Sequence, residues 1–101
     1  MTGPAVATLI LLAAGDDVLV AARDLAAGVH PTSAGGSAAV REPVRLGHKV
    51  AARDIAKGEH VVRAGMSIGS ATTAIRAGDW VHTHNLASDY IATYAHRGGE
   101  R

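Results

Sequence analysis

The sequence predicts an all-β fold, and two observations carry that reading. Short apolar runs are punctuated by Gly- and Asp-bearing turns along most of the 101 residues. In addition, Val20-Ala-Ala-Arg-Asp-Leu-Ala-Ala-Gly-Val-His30 recurs thirty residues later as Val50-Ala-Ala-Arg-Asp-Ile-Ala-Lys-Gly-Glu-His60, with eight of eleven positions identical. A weaker third copy of the turn lies at Ile75-Arg-Ala-Gly78-Asp-Trp-Val81. A solenoid needs three or more stacked units, so the repeat reads instead as two similar β-corners related by pseudo-symmetry within one compact domain.

Strands are expected at 7–12, 18–22, 39–44, 49–52, 60–63, 67–73 and 80–85. The first belongs to an apolar run of ten residues, 5–14, too short to span a bilayer and without the basic start of a signal peptide. It reads as a buried strand. Gly15-Asp-Asp17 makes a hairpin turn into the second. In each repeat Val-Ala-Ala is a short strand, and Arg-Asp opens a turn whose Asp accepts hydrogen bonds from nearby backbone amides. Leu25 or Ile55 then tucks inward, and Gly28 or Gly58 permits a positive φ where the chain reverses.

The Gly/Ser-rich stretch 31–39 reads as a mobile polar loop. Gly65-Met-Ser-Ile-Gly69 sets two glycines around an alternating pair, the mark of a bent strand or bulge. After Asn85 the pattern changes, and Ser88 is placed to cap a short helix holding Tyr90, Ile91 and Tyr94, with Gly98 ending it. The β domain is therefore expected over 1–86, with 87–101 a C-terminal tail carrying that helix.

Composition narrows the function classes. Of the 48% hydrophobic residues most are Ala and Val, with one Trp, two Tyr and no Phe. Ligand pockets are usually lined by large apolar and aromatic side chains, so so few aromatics point to a site shared with a partner. Ten basic and nine acidic residues leave a net charge of +1, which gives no electrostatic footprint for nucleic acid or an anionic membrane. The absence of cysteine excludes disulfides, thiolate nucleophiles and zinc–thiolate sites. A cytoplasmic location is expected, and a homo-oligomer is compatible with the sequence.

Chemistry concentrates in six histidines, above all in His82-Thr83-His84-Asn85. On a strand the period of two points both imidazoles to one face. Such a pair can bind a divalent metal, hold a substrate carboxylate or transfer protons near neutral pH, and it is also a common surface feature. A metal site normally needs a third ligand, and no acidic residue lies between Trp80 and Ser88, so completion by another chain is expected. Gly47-His48-Lys49 lets the backbone approach a ligand while Lys49 offers a charge to a carboxylate; a turn glycine with solvated neighbours is the equal alternative. His30 and His60 occupy equivalent repeat positions and read as structural, and Arg23 and Arg53 as braces of their turns.

The segments Gly47-His-Lys-Val-Ala-Ala-Arg-Asp-Ile-Ala-Lys-Gly-Glu59, Gly65-Met-Ser-Ile-Gly69 and Ile75-Arg-Ala-Gly-Asp-Trp-Val-His-Thr-His-Asn-Leu86 resemble the SAF domain of the altronate/galactarate dehydratase family. The resemblance implies a β-clip fold and a small subunit that forms an active site together with a much larger catalytic chain. It implies a sugar-acid substrate and Fe2+ held mainly by the partner. Dehydration of a 2,3-dihydroxy acid removes the proton α to the carboxylate, stabilises an enediolate and protonates the leaving hydroxyl; imidazole suits either proton transfer. On this reading His82, His84 and His48 are the catalytic candidates, and Lys49, Asn85 and Thr83 contact substrate. His82 and His84 are also candidate metal ligands completed by the partner. The alternatives are the small subunit of a sulfolactate sulfo-lyase, which expels sulfite, and a non-catalytic SAF ligand-binding module.

Overall fold

The computed structural model describes residues 6–88, and these form strands and turns with no helix. The order is β1 (Leu9–Ile10), β2 (Val18–Ala21), β3 (Gly28–Pro31), β4 (Ser37–Val40), β5 (Lys49–Ala51), β6 (His60–Arg63), β7 (Met66–Ala71), β8 (Trp80–Val81) and β9 (Leu86–Ala87). A four-stranded antiparallel sheet runs β1-β2-β5-β8, with the hairpin β3-β4 and the three-stranded sheet β6-β7-β9 beside it. The helix expected near Ser88 falls outside the described residues.

The pseudo-symmetry is deeper than the sequence repeat. One corner motif occurs four times, with a small aliphatic residue, a buried apolar residue four positions on and a glycine three further: Ala21/Leu25/Gly28, Val40/Val44/Gly47, Ala51/Ile55/Gly58 and Ala71/Ile75/Gly78. The corners face each other in pairs through isolated antiparallel bridges, Leu25 with Val44 and Ile55 with Ile75. Each bridge exchanges two backbone hydrogen bonds, at 2.7 and 2.9 Å in the first and 2.7 and 2.8 Å in the second. The repeat's aspartates serve this pairing rather than their own turns. Asp24 accepts from the Leu46 amide and Asp54 from the Ala77 amide, each across the bridge.

Each pair of corners closes its own core. Leu9, Leu19, Leu25, Val40, Val44 and Val50 cluster in the N-terminal half. Val18, Ile55, Val61, Ile75 and Val81 cluster in the C-terminal half. The central sheet divides them, because adjacent residues on a strand point to opposite faces: Val18 joins one cluster and Leu19 the other. Without Phe, and with no buried aromatic among the described residues, each half rests on aliphatics that contribute about 1.5–3 kcal/mol apiece when fully buried.

Three expectations need correction. The stretch 31–39 is part of a hydrogen-bonded hairpin, because β3 and β4 pair from Gly28↔Val40 to Pro31↔Ser37. The Ser33 hydroxyl accepts from the Leu11 amide at 2.8 Å, tying the hairpin's tip to the end of β1. The strand expected at 39–44 ends at Val40, where the second corner begins. The strand expected at 80–85 stops at Val81, and residues 83–85 form a turn. The bulge does occur: β7 pairs Gly69 with Val61 and Ser67 with Val62, leaving Ile68 as the extra residue.

Gly15-Asp-Asp17 does lead from β1 into its antiparallel partner β2, but its two acids do more than make a turn. Asp16 is buried and accepts the amides of Ala13, Ala64 and Gly65. Burial alone would raise the pKa of its carboxyl, yet those three amides, with the charge of Arg63, outweigh that and hold it below the ordinary value. Asp17, also buried, accepts from the Val62 amide and from Arg53 Nε, both at 2.8 Å. Arg53 reaches on to Glu59 at 3.2 Å, so the repeat's second arginine is a brace, as its sequence context predicts.

Candidate functional site

The site forms where the two halves meet. The turn that leaves the second corner, Gly47-His48-Lys49, runs antiparallel to the one that leaves the fourth, Gly78-Asp79-Trp80, with Lys49↔Val81 and Val50↔Trp80 as partners. Opposed residues on neighbouring strands share a face. Trp80 therefore lies on the face of Val50, and Lys49 lies on the opposite face with Val81. Gly78 packs so closely against β4 that a Cβ there would collide with the Ala39 carbonyl. Its own carbonyl accepts from the Arg41 amide at 3.1 Å, fixing the height of the seam. An Arg41–Asp79 ion pair of 2.7 Å closes the same junction.

Trp80 is the centre of a ring cluster. Its Nε1–H donates to His48 Nδ1 at 3.1 Å. Their ring centroids are 5.8 Å apart with 24° between the planes. A link between ring edges at that centroid spacing means the two rings lie side by side rather than face to face. His82 lies against both, 4.9 Å from Trp80 at 11° and 5.3 Å from His48 at 23°. His84 packs on Trp80 at 5.0 Å with a 31° tilt.

The expected strand alternation does not produce this arrangement. A turn does, held by Asn85, which is buried and uses its side-chain amide within its own loop. Asn85 Nδ2 donates to the Trp80 carbonyl at 2.8 Å, and its Oδ1 accepts from the His82 amide at 2.9 Å. Both imidazoles are thereby wrapped around the indole instead of standing in a row. Thr83 is exposed in the same turn.

Beside the rings lies a cleft of about 320 Å3 lined by His48, Trp80, His82, Val44, Pro43, Glu42 and Arg45. It is built like a small polar-ligand site, with an apolar wall from the core residue Val44 and convergent charged and imidazole groups. Of the residues singled out in the sequence, His48 and His82 line it and His84 adjoins it through Trp80. Lys49 does not join them. Its pKa is lowered, first by burial against the sheet and then by the nearby charge of Arg63. Glu42 and Arg45 escaped the sequence reading because their corner, Val40 to Gly47, keeps only the buried apolar position and the glycine of the repeat. Trp80 carried a signal, as the sole tryptophan in a chain nearly without aromatics.

The family model for the altronate/galactarate dehydratase SAF domain matches residues 7–89, a span that contains both halves and the whole cleft. The chain belongs to the altronate/galactarate dehydratase SAF-domain family. Comparison with curated proteins gave no match. Membership ties this SAF domain to sugar-acid dehydration. Among its described residues no group of three His, Cys, Asp or Glu side chains is arranged to hold a metal ion. The described residues alone thus do not make a complete iron site. No helix among the described residues is long and apolar enough to cross a membrane.

Proposed function

We propose that this SAF domain is the small component of a sugar-acid dehydratase and that its His48–Trp80–His82 cleft forms part of an active site completed by a large catalytic subunit. The observation that carries this reading is the cleft itself: two imidazoles and a guanidinium converge beside an indole, on a family module tied to sugar-acid dehydration. Arg45 is suited to a substrate carboxylate, and imidazole to proton transfer near neutral pH. The exposure of the cleft supports a shared site, since its acid–base groups are half-buried or exposed. Iron, if the enzyme uses it, is held chiefly by the partner, with His82 or His84 as contributors from this chain. A cytoplasmic setting belongs to the same reading.

Affinity purification of the tagged chain from its native cells tests the proposal. Stoichiometric recovery of one much larger chain, with dehydration of altronate or galactarate by the complex, is the expected result. A complex that instead releases sulfite from sulfolactate would move the domain to the sulfo-lyase reading. Recovery of the chain alone would leave a self-contained binding module.

A further inference from the structure

The contact between Trp80 and His48 fixes more than position. An indole nitrogen can only donate a hydrogen bond, and a neutral imidazole has one N–H and one lone-pair nitrogen. Since Trp80 Nε1 lies 3.1 Å from His48 Nδ1, that nitrogen is the acceptor and the ring's proton sits on Nε2. A doubly protonated ring has no acceptor and is incompatible with the bond. The indole is itself held on several sides. Its backbone pairs with Val50, its carbonyl accepts from Asn85, and His82 and His84 pack on its ring.

We propose that Trp80 is a positioning residue that holds His48 in the Nε2–H form, so that His48 meets the occupant of the cleft as a hydrogen-bond donor to an acceptor oxygen. The occupant rests on the function proposed above; the tautomer does not. In the neutral ring set this way, Nδ1 is already engaged by protein, and Nε2–H is the group left for a carboxylate or hydroxyl oxygen. His48 therefore serves as a neutral hydrogen-bond donor and not as a proton source, since loss of the Nε2 proton would leave an imidazolate, whereas His82 makes no side-chain hydrogen bond among the described residues and has no tautomer fixed in this way. The asymmetry between two neighbouring imidazoles comes from one indole N–H.

Nitrogen NMR of the 15N-labelled full chain tests this without partner or substrate. The expected spectrum shows His48 Nδ1 as a lone-pair nitrogen and Nε2 as an N–H, with a through-hydrogen-bond coupling between Trp80 Nε1 and His48 Nδ1. In Trp80→Phe an aromatic ring remains for His82 to pack on, but the donor is gone. The coupling is then lost and the Nδ1–H form of His48 rises from undetected to a measurable share. A protonated Nδ1 in the unaltered chain, or the same tautomer populations in Trp80→Phe, would overturn the proposal. Should Trp80→Phe fail to fold, the presence or absence of the coupling in the unaltered chain decides alone. Loss of the two-subunit reading would leave these spectra unchanged, so the two ideas fail separately.

Discussion

The two halves of the domain share a backbone plan but differ in how their arms are held. In the C-terminal half, Asp16 and Asp17 reach across from the β1–β2 connection to bind the β6–β7 hairpin, and β9 adds a third strand. In the N-terminal half the β3–β4 hairpin is tied to β1 instead, through the Leu9–Thr32 bridge, the Thr8 amide donating to the Pro31 carbonyl, the Ser33 amide to the Leu9 carbonyl and the Leu11 amide to the Ser33 hydroxyl, and Val29 is 69% exposed. The repeat's arginines follow suit. Arg53 bridges Asp17 and Glu59, while the residue matching Glu59 in the first half is Val29, so Arg23 forms no ion pair among the described residues. Duplicated geometry thus gives one arm pinned by buried carboxylates and one arm tied to β1 by backbone and hydroxyl hydrogen bonds, with the ring cluster on the seam between them.

The largest expected effect that sharpens this contrast lies in the corners. Ile75→Ala empties a fully buried position and is expected to cost about 2–5 kcal/mol in urea unfolding. The matching Val44→Ala removes a smaller side chain and should cost less by about 0.8 kcal/mol per missing CH2 group. Equal costs would mean that the two cores are not independent units.

Next come the pins. Asp17→Ala is expected to cost about 3 kcal/mol, because it strands the Val62 amide and removes a charged partner of Arg53. By contrast Arg23→Ala, at the exposed and unbraced equivalent of Arg53, should stay within about 0.5 kcal/mol. Hydrogen exchange sharpens the comparison further, since Asp17→Ala should release β6–β7 amides and leave those of β3–β4 unchanged.

The pins also give the C-terminal half an acid sensitivity. Asp16 and Glu59 have folded-state pKa values below their unfolded ones. For Asp16 the amides of Gly65, Ala64 and Ala13 overcome burial; for Glu59 the Ala56 amide acts first and Arg53 second. The unfolded chain therefore takes up protons first as pH falls. The stability these groups contribute is full above about pH 5 and is lost as pH drops through their folded values. Unfolding followed from pH 6 to pH 2 should show that loss, with a shallower slope in Asp16→Asn; an unchanged slope would remove Asp16 from the explanation.

The smallest effect concerns the β6–β7 turn, where Ala64 takes a φ of 54° and Gly65 a φ of 79°. A left-handed backbone costs a non-glycine residue about 1–2 kcal/mol, and the Asp16 carboxylate that binds both amides offsets that strain. Ala64→Gly should therefore stabilise the domain by about 1 kcal/mol, detectable as a raised urea midpoint.

How much of this was legible in the sequence depends on what kind of residue carried it. The corners were readable where Arg-Asp, Gly and His repeat in register, at residues 20–30 and 50–60. They were hidden at Val40 to Gly47, where only the buried apolar position and the glycine survive. The bulge at Ile68 followed from its flanking glycines. Asp16 and Asp17 looked like turn residues because the Val62, Ala64 and Gly65 amides they bind lie more than forty positions away. At the site, His48 and His82 were found by residue type, but their meeting depends on a register, Val50↔Trp80, that no local pattern encodes. The same register carries Lys49 to the other face. The turn at 83–85 defeated the strand reading because Asn85 satisfies the backbone of its own loop.

The most direct test of the proposed role is turnover of sugar acid by the complex of this chain with the proposed large subunit, comparing the unaltered chain with His48→Ala and His82→Ala after assembly has been verified. A fall in kcat on the order of 100-fold or more with the complex intact is the expected result. Full turnover by intact complexes of both variants would contradict it and make the ring cluster a structural feature of the seam.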